Sequence, residues 1–449
     1  MKTYPAYKPS RLSWLKQIPE SWGEKRARFL FRVIDERSET GNEELLSVSH
    51  ITGVTPRSEK NITMFMAESY EGHKLCQPGD LVINSMWAWM AALGVSRHYG
   101  IISSAYHVYR QHDARTLNTK FLDYLLRTKG YAGEYLCRSK GVWSSRLLLL
   151  PFAFFDIPIL VPARQEQDAI VAFLEAKERE IETFIRHKRR TIELLKEQKA
   201  ALINRAVTRG LNPAAPLKPS GIDWLGDIPA HWMPAKLSWI CTSIRDGTHA
   251  PPTEAEGIYR LLSVRNIVNG ELVLRDDDRT MAEKSYNELQ RSYTVRENDV
   301  VLAIVGGTTG KSAVVGKLEN ISVQRSLAIL RPNKLRIHPQ FLNVCLQLPM
   351  IQRKIWDTAE KYAAQPGIYL VDVAKLRVPL PPLDEQTELL KKCDEINNSI
   401  SHTARTTERE IALIEEYRAS LIDAAVTGKI DCRNAPEASR ARASVTAAD

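Results

Sequence analysis

Apolar residues recur in a seven-residue frame through two long, otherwise charged stretches, and the two stretches are copies of one another. Arg164–Thr208 aligns with Leu383–Thr427 without insertion or deletion at a constant offset of 219 residues. Glu166-Gln167 falls on Glu385-Gln386, and Ala206-Val207-Thr208 falls on Ala425-Val426-Thr427. Leu174, Ile181, Lys188, Leu195 and Leu202 share one position of the frame in the first copy; Cys393, Ile400, Thr407, Ile414 and Leu421 share it in the second. Ile185 and Ile192 flank the first stripe, and Ala404 and Ile411 flank the second. The pattern predicts two amphipathic helices, each about 65 Å long at ~1.5 Å per residue. Both follow a proline-bounded lead, carry carboxylates in the first turn where the helix start is positive, and end at a glycine, Gly210 or Gly428. An apolar face of that length must be buried. Matched layers predict that the copies zip together antiparallel as an intramolecular coiled coil with one globular region at each end; pairing to another chain is the alternative. Lys188 and Thr407 interrupt the stripes at the central layer and are expected to fix register.

Shorter patterns extend the repeat. Lys8–Trp22 (KPSRLSWLKQIPESW) and Lys218–Trp232 (KPSGIDWLGDIPAHW) share eight of fifteen residues at an offset of 210, which predicts a bent arm docked on the body of each half. Between arm and helix lie two variable regions with local likeness in register. Leu45-Leu46-Ser47-Val48 answers Leu261-Leu262-Ser263-Val264, Pro78-Gly79-Asp80-Leu81-Val82 answers Glu297-Asn298-Asp299-Val300-Val301, and Phe121-Leu122 answers Phe341-Leu342. Short β-branched runs with Gly/Asn/Asp turns between them, followed by a helix, predict a mixed α/β domain in each half. The expected boundaries are an arm over 1–22, a domain over 23–162, a helix over 163–210, a second arm over 211–232, a second domain over 233–382, a second helix over 383–428, and an unstructured tail over 429–449. The fold class is therefore α+β: two mixed α/β domains separated by two long antiparallel helices, related by a pseudo-twofold internal repeat.

Composition narrows the function. With 449 residues, 44% hydrophobic and 26% charged, the chain can build several cores. Its net charge of +9 and pI near 9.1 favour an acidic partner such as nucleic acid. Six scattered cysteines without a CxxC pair argue against a disulfide scaffold or a structural zinc, and suggest a reduced, cytoplasmic setting. The first residues lack the apolar core of a signal peptide, and the longest apolar run, Leu147–Phe155, is short and broken by Pro151.

No catalytic constellation stands out. Gly306–Ser312 (GGTTGKS) has three residues between Gly306 and Gly310 where a phosphate loop needs four, and the AVVGKL after it reads as strand rather than helix. Glu197-Gln198-Lys199 looks like a nuclease motif end but sits on the polar face of the long helix without an acidic partner upstream. No Asn-Pro-Pro-aromatic or Asp-Pro-Pro-aromatic tetrapeptide of an amino-methyltransferase occurs. The variable regions instead offer aromatic, basic and amide side chains in turn-like stretches. The candidates are Trp87, Trp89, Arg97, Arg138, Lys140, Trp143 and Arg146 in the first region. In the second they are Thr248, His249, Arg265, Asn266, Thr308, Thr309, Lys311, Gln324, Arg325, Lys361, Tyr362 and Gln365. Arg, Asn and Gln can pair with base edges, and Lys and Arg hold phosphates. His187-Lys188-Arg189-Arg190 reads as a solvated helix face.

Taken together, the Trp-Leu-x-x-Ile-Pro-x-x-Trp arms, the Gly/Asn-Asp-hydrophobic runs, the proline-rich leads into Glu-Gln helices and the Ala-Val-Thr ends resemble the specificity subunit of type I restriction-modification enzymes. The likeness covers residues 8 to about 431; a small departure is Thr208-Arg209-Gly210 against Thr427-Gly428. The resemblance implies two target recognition domains, each reading one half of a bipartite DNA site, with the paired helices as spacer. It also implies a subunit with no catalysis and no cofactor of its own. Its partners would be double-stranded DNA, two modification subunits that use S-adenosylmethionine, and restriction subunits that use ATP and Mg.

Overall fold

The structure is a computed structural model describing residues 2–60, 69–141, 147–249, 256–359 and 367–435. The chain divides into two compact units, Met1–Lys188 with Arg409–Asp449 and Arg189–Glu408, so each long helix contributes one half to each unit.

The two long helices are Arg164–Arg209 and Leu383–Val426. In the first unit their halves run antiparallel. Glu178 lies 2.9 Å from Arg418, Lys188 lies 2.7 Å from Glu410, and Leu174 shares a core with Leu421. The second unit shows the same order, with Ala206 and Val207 in one core with Leu389 and Cys393. Lys188, a polar break in the stripe, is thus answered by a carboxylate, and the buried Thr407 donates its hydroxyl to the Thr403 carbonyl of its own helix. Burial of the stripe is incomplete, contrary to the expectation from the pattern. Ile181, Ile185 and Ile192 are buried, yet Leu195 and Ile400 are only half-buried and Leu202 is 39% exposed. Two helices cover one side of each other, and the leftover apolar surface faces outward.

Each variable region enters and leaves through a two-stranded ladder: Gly23–Arg26 with Pro158–Val161, and Met233–Lys236 with Arg377–Leu380. Between these ladders both domains use one strand order. In the first it runs Phe31–Ile34, His107–Gln111, Leu81–Ile83, Leu93–Val95; in the second, Cys241–Asp246, Leu327–Pro332, Val300–Ala303, Ser312–Val314. The unbroken apolar runs Leu81–Ile83 and Val300–Ala303 are central strands buried throughout, as such runs require. A following helix, Thr119–Leu126 or Pro339–Leu346, buries the Phe-Leu pairs read from the sequence, Phe121-Leu122 and Phe341-Leu342. Beside Ser312–Val314 the second sheet gains Glu271–Leu272 and then Ile267–Val268, two strands joined by a turn with Asn269 at φ 51° and Gly270 at φ 86°.

The arms are short hairpins, Tyr7–Pro9 with Gln17–Pro19 and Leu217–Pro219 with Asp227–Pro229. The last tryptophan of each arm is fully buried and fastened to the first turn of a long helix. Trp22 Nε1 donates to Glu166 (3.0 Å) and Trp232 Nε1 to Glu385 (2.8 Å). The adjoining glutamine ties the helix to its domain. Gln167 accepts from Asn118 N (2.7 Å) and donates to the Thr116 and Pro162 carbonyls, as Gln386 accepts from His338 N (2.8 Å) and donates to those of Arg336 and Pro381. Both glutamines are fully buried, and these bonds satisfy both ends of each amide. The repeated Glu-Gln dipeptide is therefore a joint.

The tail differs from its expectation. Residues 429–435 are docked, with Asp431 N donating to the Lys2 carbonyl, Cys432 buried, and the Arg433 guanidinium 4.9 Å from the Tyr4 ring centre. The remainder, 436–449, lies outside the described residues.

Candidate nucleic-acid interface

Each domain turns into its central strand through an aspartate. Asp80 accepts from Gln77 N (3.0 Å) and from Arg110 Nε (2.8 Å) and Nη2 (3.0 Å). Asp299 repeats this with Arg296 N (2.8 Å) and Arg331 Nε and Nη2 (both 2.9 Å). A carboxylate shielded from water is tolerated when its lone pairs are filled, and the forked guanidinium fills them. The hydrogen bond to the aspartate, more than its charge, holds both arginines above the ordinary guanidinium value. Gly79 (φ 94°) and Asn298 (φ 72°) supply the left-handed residue before each aspartate, so the Gly/Asn-Asp likeness is a turn geometry.

That turn fixes one end of the sheet, and the far end carries the candidates. In the second domain three segments meet there: the exit of Cys241–Asp246, the loop joining Val300–Ala303 to Ser312–Val314, and the entry to Leu327–Pro332. Thr248 bridges to Gln324, Arg325 N donates to the Thr248 carbonyl (3.0 Å), and Ile304 N donates to the Ser326 carbonyl (2.9 Å). Gly247 makes this convergence possible, because a Cβ there would meet the Val323 carbonyl oxygen at 2.1 Å. Thr248, His249, Thr308, Thr309, Lys311, Gln324 and Arg325 are thus brought to one end. His249 leans on Asp246 (2.6 Å), while Arg325 and Lys311 are exposed. Their donors suit phosphates and guanine or adenine edges.

Three of the sequence candidates in this domain do other work. Asn266 is buried, donates to the Val273 carbonyl (2.9 Å) and Asp278 (2.8 Å), and accepts from Ser263 N (2.9 Å); with its amide filled it cannot read a base. Arg265 is held by Asp277 (2.7 Å) and Asp278 (3.1 Å), chiefly the hydrogen bond to Asp277, which raises its pKa. Thr309 is buried and closes its own turn on the Gly306 carbonyl (2.7 Å), so it shapes the loop rather than its surface.

The corresponding end of the first domain is aromatic. Trp87, 46% exposed, stacks on Trp89 with ring centres 5.8 Å apart. Leu149 N donates to the Ser85 carbonyl, Lys140 bridges to Leu148, and the Lys140 ammonium lies 5.2 Å from the Phe152 ring centre. Arg138 is engaged by Glu134 at 2.8 Å. Arg97 lies at the opposite end, beside the Asp80 turn, where Ser96 N donates to the Asp80 carbonyl; the strand that separates it from the tryptophans puts it out of their reach. Exposed Met86, Leu148 and Phe152 join the aromatic end, and none of them carries a polar group that would mark it in the sequence as a DNA contact. Trp143, Arg146, Lys361, Tyr362 and Gln365 lie outside the described residues. Among the described residues no cluster of His, Cys, Asp or Glu is placed to hold a metal, and no helix is long and apolar enough to cross a membrane.

The class these features define is a duplicated recognition scaffold, with one framework used twice and different side chains at the same end of each sheet. A family profile described as "Type I restriction modification DNA specificity domain" matches residues 229–412. The EcoBI type I specificity subunit of Escherichia coli is 25% identical over 209 residues, covering 45% of this chain and 43% of the relative. The EcoKI specificity subunit of E. coli K12 is 21% identical over 319 residues, covering 69% and 65%. The matches thus span about half to two thirds of these relatives. A solved chain from work on complex assembly and conformational transition of the type I R-M system shares the fold at TM-score 0.62 and 16% identity, with 92% of this chain and 99% of that one covered. Residues 229–412 thus match a type I DNA specificity domain, and the chain as a whole is similar to the specificity subunits of type I restriction-modification systems.

Proposed function

We propose that the chain is the DNA-reading, non-catalytic subunit of a type I complex, each domain recognising one half of a bipartite, asymmetric site. The observation that carries this reading is the pairing of a constant framework with a changing end: the strand order and aspartate turn recur in both domains, while the far end is aromatic in one and polar in the other. Shared scaffolds with differing loops are how one fold serves two specificities. The net charge of +9 suits a polyanion.

Partner subunits supply the chemistry in this reading: two modification subunits with S-adenosylmethionine, and restriction subunits with ATP and Mg. The long helices offer them apolar surface at Leu194 and Leu202 in the second unit and at Phe184, Leu413 and Tyr417 in the first, each between 39% and 59% exposed. The reading is tested by exchanging Gly23–Pro162 for the matching region of a relative. Both ends of the exchange fall at the two-stranded ladder, so the graft enters and leaves at adjacent points. Methylome sequencing of cells carrying the chimera and its methyltransferase partner should show one half-site altered and the other kept. A change in both halves together would overturn the division of labour.

A further inference from the structure

We infer that the groove between the second domain and the long helices holds the sugar-phosphate backbone of the DNA between the half-sites, next to the second one, gripping it without regard to sequence. The inference rests on the DNA-reading function proposed above and adds a surface to it. The groove encloses about 1290 Å³ within the second unit, above the roughly 300–1,000 Å³ of small-molecule sites, which favours an extended ligand. Its walls bring together cations from three separate elements: Lys196 and Lys199 on the first long helix, Arg405 on the second, and Lys311 at the start of a sheet strand. None of the four makes an ion pair or a side-chain hydrogen bond among the described residues, although ion pairs are formed by many other Lys and Arg in the chain. Two acids, Asp394 and Glu408, line the same groove, leaving it with a surplus of two positive charges.

Position identifies the anion. Lys311 belongs both to this groove and to the loop that presents Thr308 at the candidate reading end, so a strand leaving that end passes directly into the groove. Lys196 and Lys199 are three residues apart on a helix, which sets their Cβ atoms about 5–6 Å apart on one face. Flexible ammonium groups at that spacing suit successive phosphates, and they carry no base-reading geometry. The helices would then act on the DNA between the half-sites as well as on the domains.

The test uses the full complex with the methyltransferase partner and a duplex containing the site found by methylome sequencing. The triple substitution Lys196→Gln, Lys199→Gln, Arg405→Gln should weaken binding at least tenfold at about 0.1 M salt. It should also lower the slope of log affinity against log salt by about 2 to 3, near 0.9 per lost phosphate contact, and leave the methylated sequence as it was. Asp394→Asn with Glu408→Gln should change affinity and slope in the opposite direction. Neutral methylphosphonate linkages placed only between the half-sites should erase the difference between triple variant and wild type. An unaltered affinity and slope in the triple variant overturns the inference, as does loss of the methyltransferase subunit from the purified complex, which would make the groove a protein seat. A wild-type complex that fails to distinguish the site from a scrambled duplex removes the DNA-reading function itself, a separate failure.

Discussion

Whether a side chain can read a base depends on what else already holds it. Arg265 and Arg325 both lie in the second domain and are chemically identical, yet two aspartates occupy one while the other is exposed beside the Thr248–Gln324 bridge. Arg325→Ala should therefore relax base preference at one position of one half-site, by about 1–3 kcal/mol if the arginine contacts a purine edge in bidentate fashion. Arg265→Ala should leave the methylated sequence unchanged. Methylome sequencing of the two variants checks the contrast, and a sequence change in the Arg265 variant alone would reverse the assignment. The aspartate turns carry the same lesson. Asp80 and Asp299 are recognisable as turn residues from Gly79 and Asn298, but their arginine partners sit 30 and 32 residues downstream, where nothing local announces them.

At the scale of elements, both ends of the helix pair are built alike: an arm tryptophan bonded to a helix-start glutamate and resting near a helix-end glycine. The two glycines are not equivalent. A Cβ on Gly428 would lie 2.4 Å from Cδ of Pro19, within a closed ring, whereas one on Gly210 would first meet the Glu385 side-chain oxygen at 3.3 Å. Both have φ near +75°, so alanine is strained at either site by about 1 kcal/mol. Gly428→Ala should therefore cost about 3 kcal/mol, with overlap added to strain, and Gly210→Ala about 1 kcal/mol. Denaturant unfolding of the two variants measures the difference; equal losses would show that the first arm moves aside freely. The helices themselves were the most legible elements. Their stripe, leads and glycine ends mark Arg164–Arg209 and Leu383–Val426 to within a residue or two. Strands of three or four residues left a weaker trace, since so short a run can read equally as buried helix.

For the whole molecule, the repeat makes the helix pair a candidate ruler. Inserting four residues after Arg190 and four after Arg409 adds slightly more than one turn to each helix and lengthens it by about 6 Å. If the helices set the gap between half-sites, the spacer should grow by about two base pairs at ~3.4 Å each, with both half-sites kept. Sequencing methylated DNA from cells with the lengthened protein reads this directly, and a folded, active variant with the original spacer would remove the ruler. The sequence by itself determined the duplication, the two amphipathic helices, the arms and the absence of a recognisable catalytic motif, because periodicity and repetition are properties of order along the chain; that the helices pair with each other antiparallel is read from contacts such as Lys188–Glu410 and Glu178–Arg418. Only the tertiary structure decided which candidates share a sheet end. It gathered Thr248, Thr308 and Gln324, turned Arg97 away, and buried Asn266 and Thr309. Those outcomes depend on strand order and on hydrogen bonds between residues far apart in sequence, and a list of residue types contains neither.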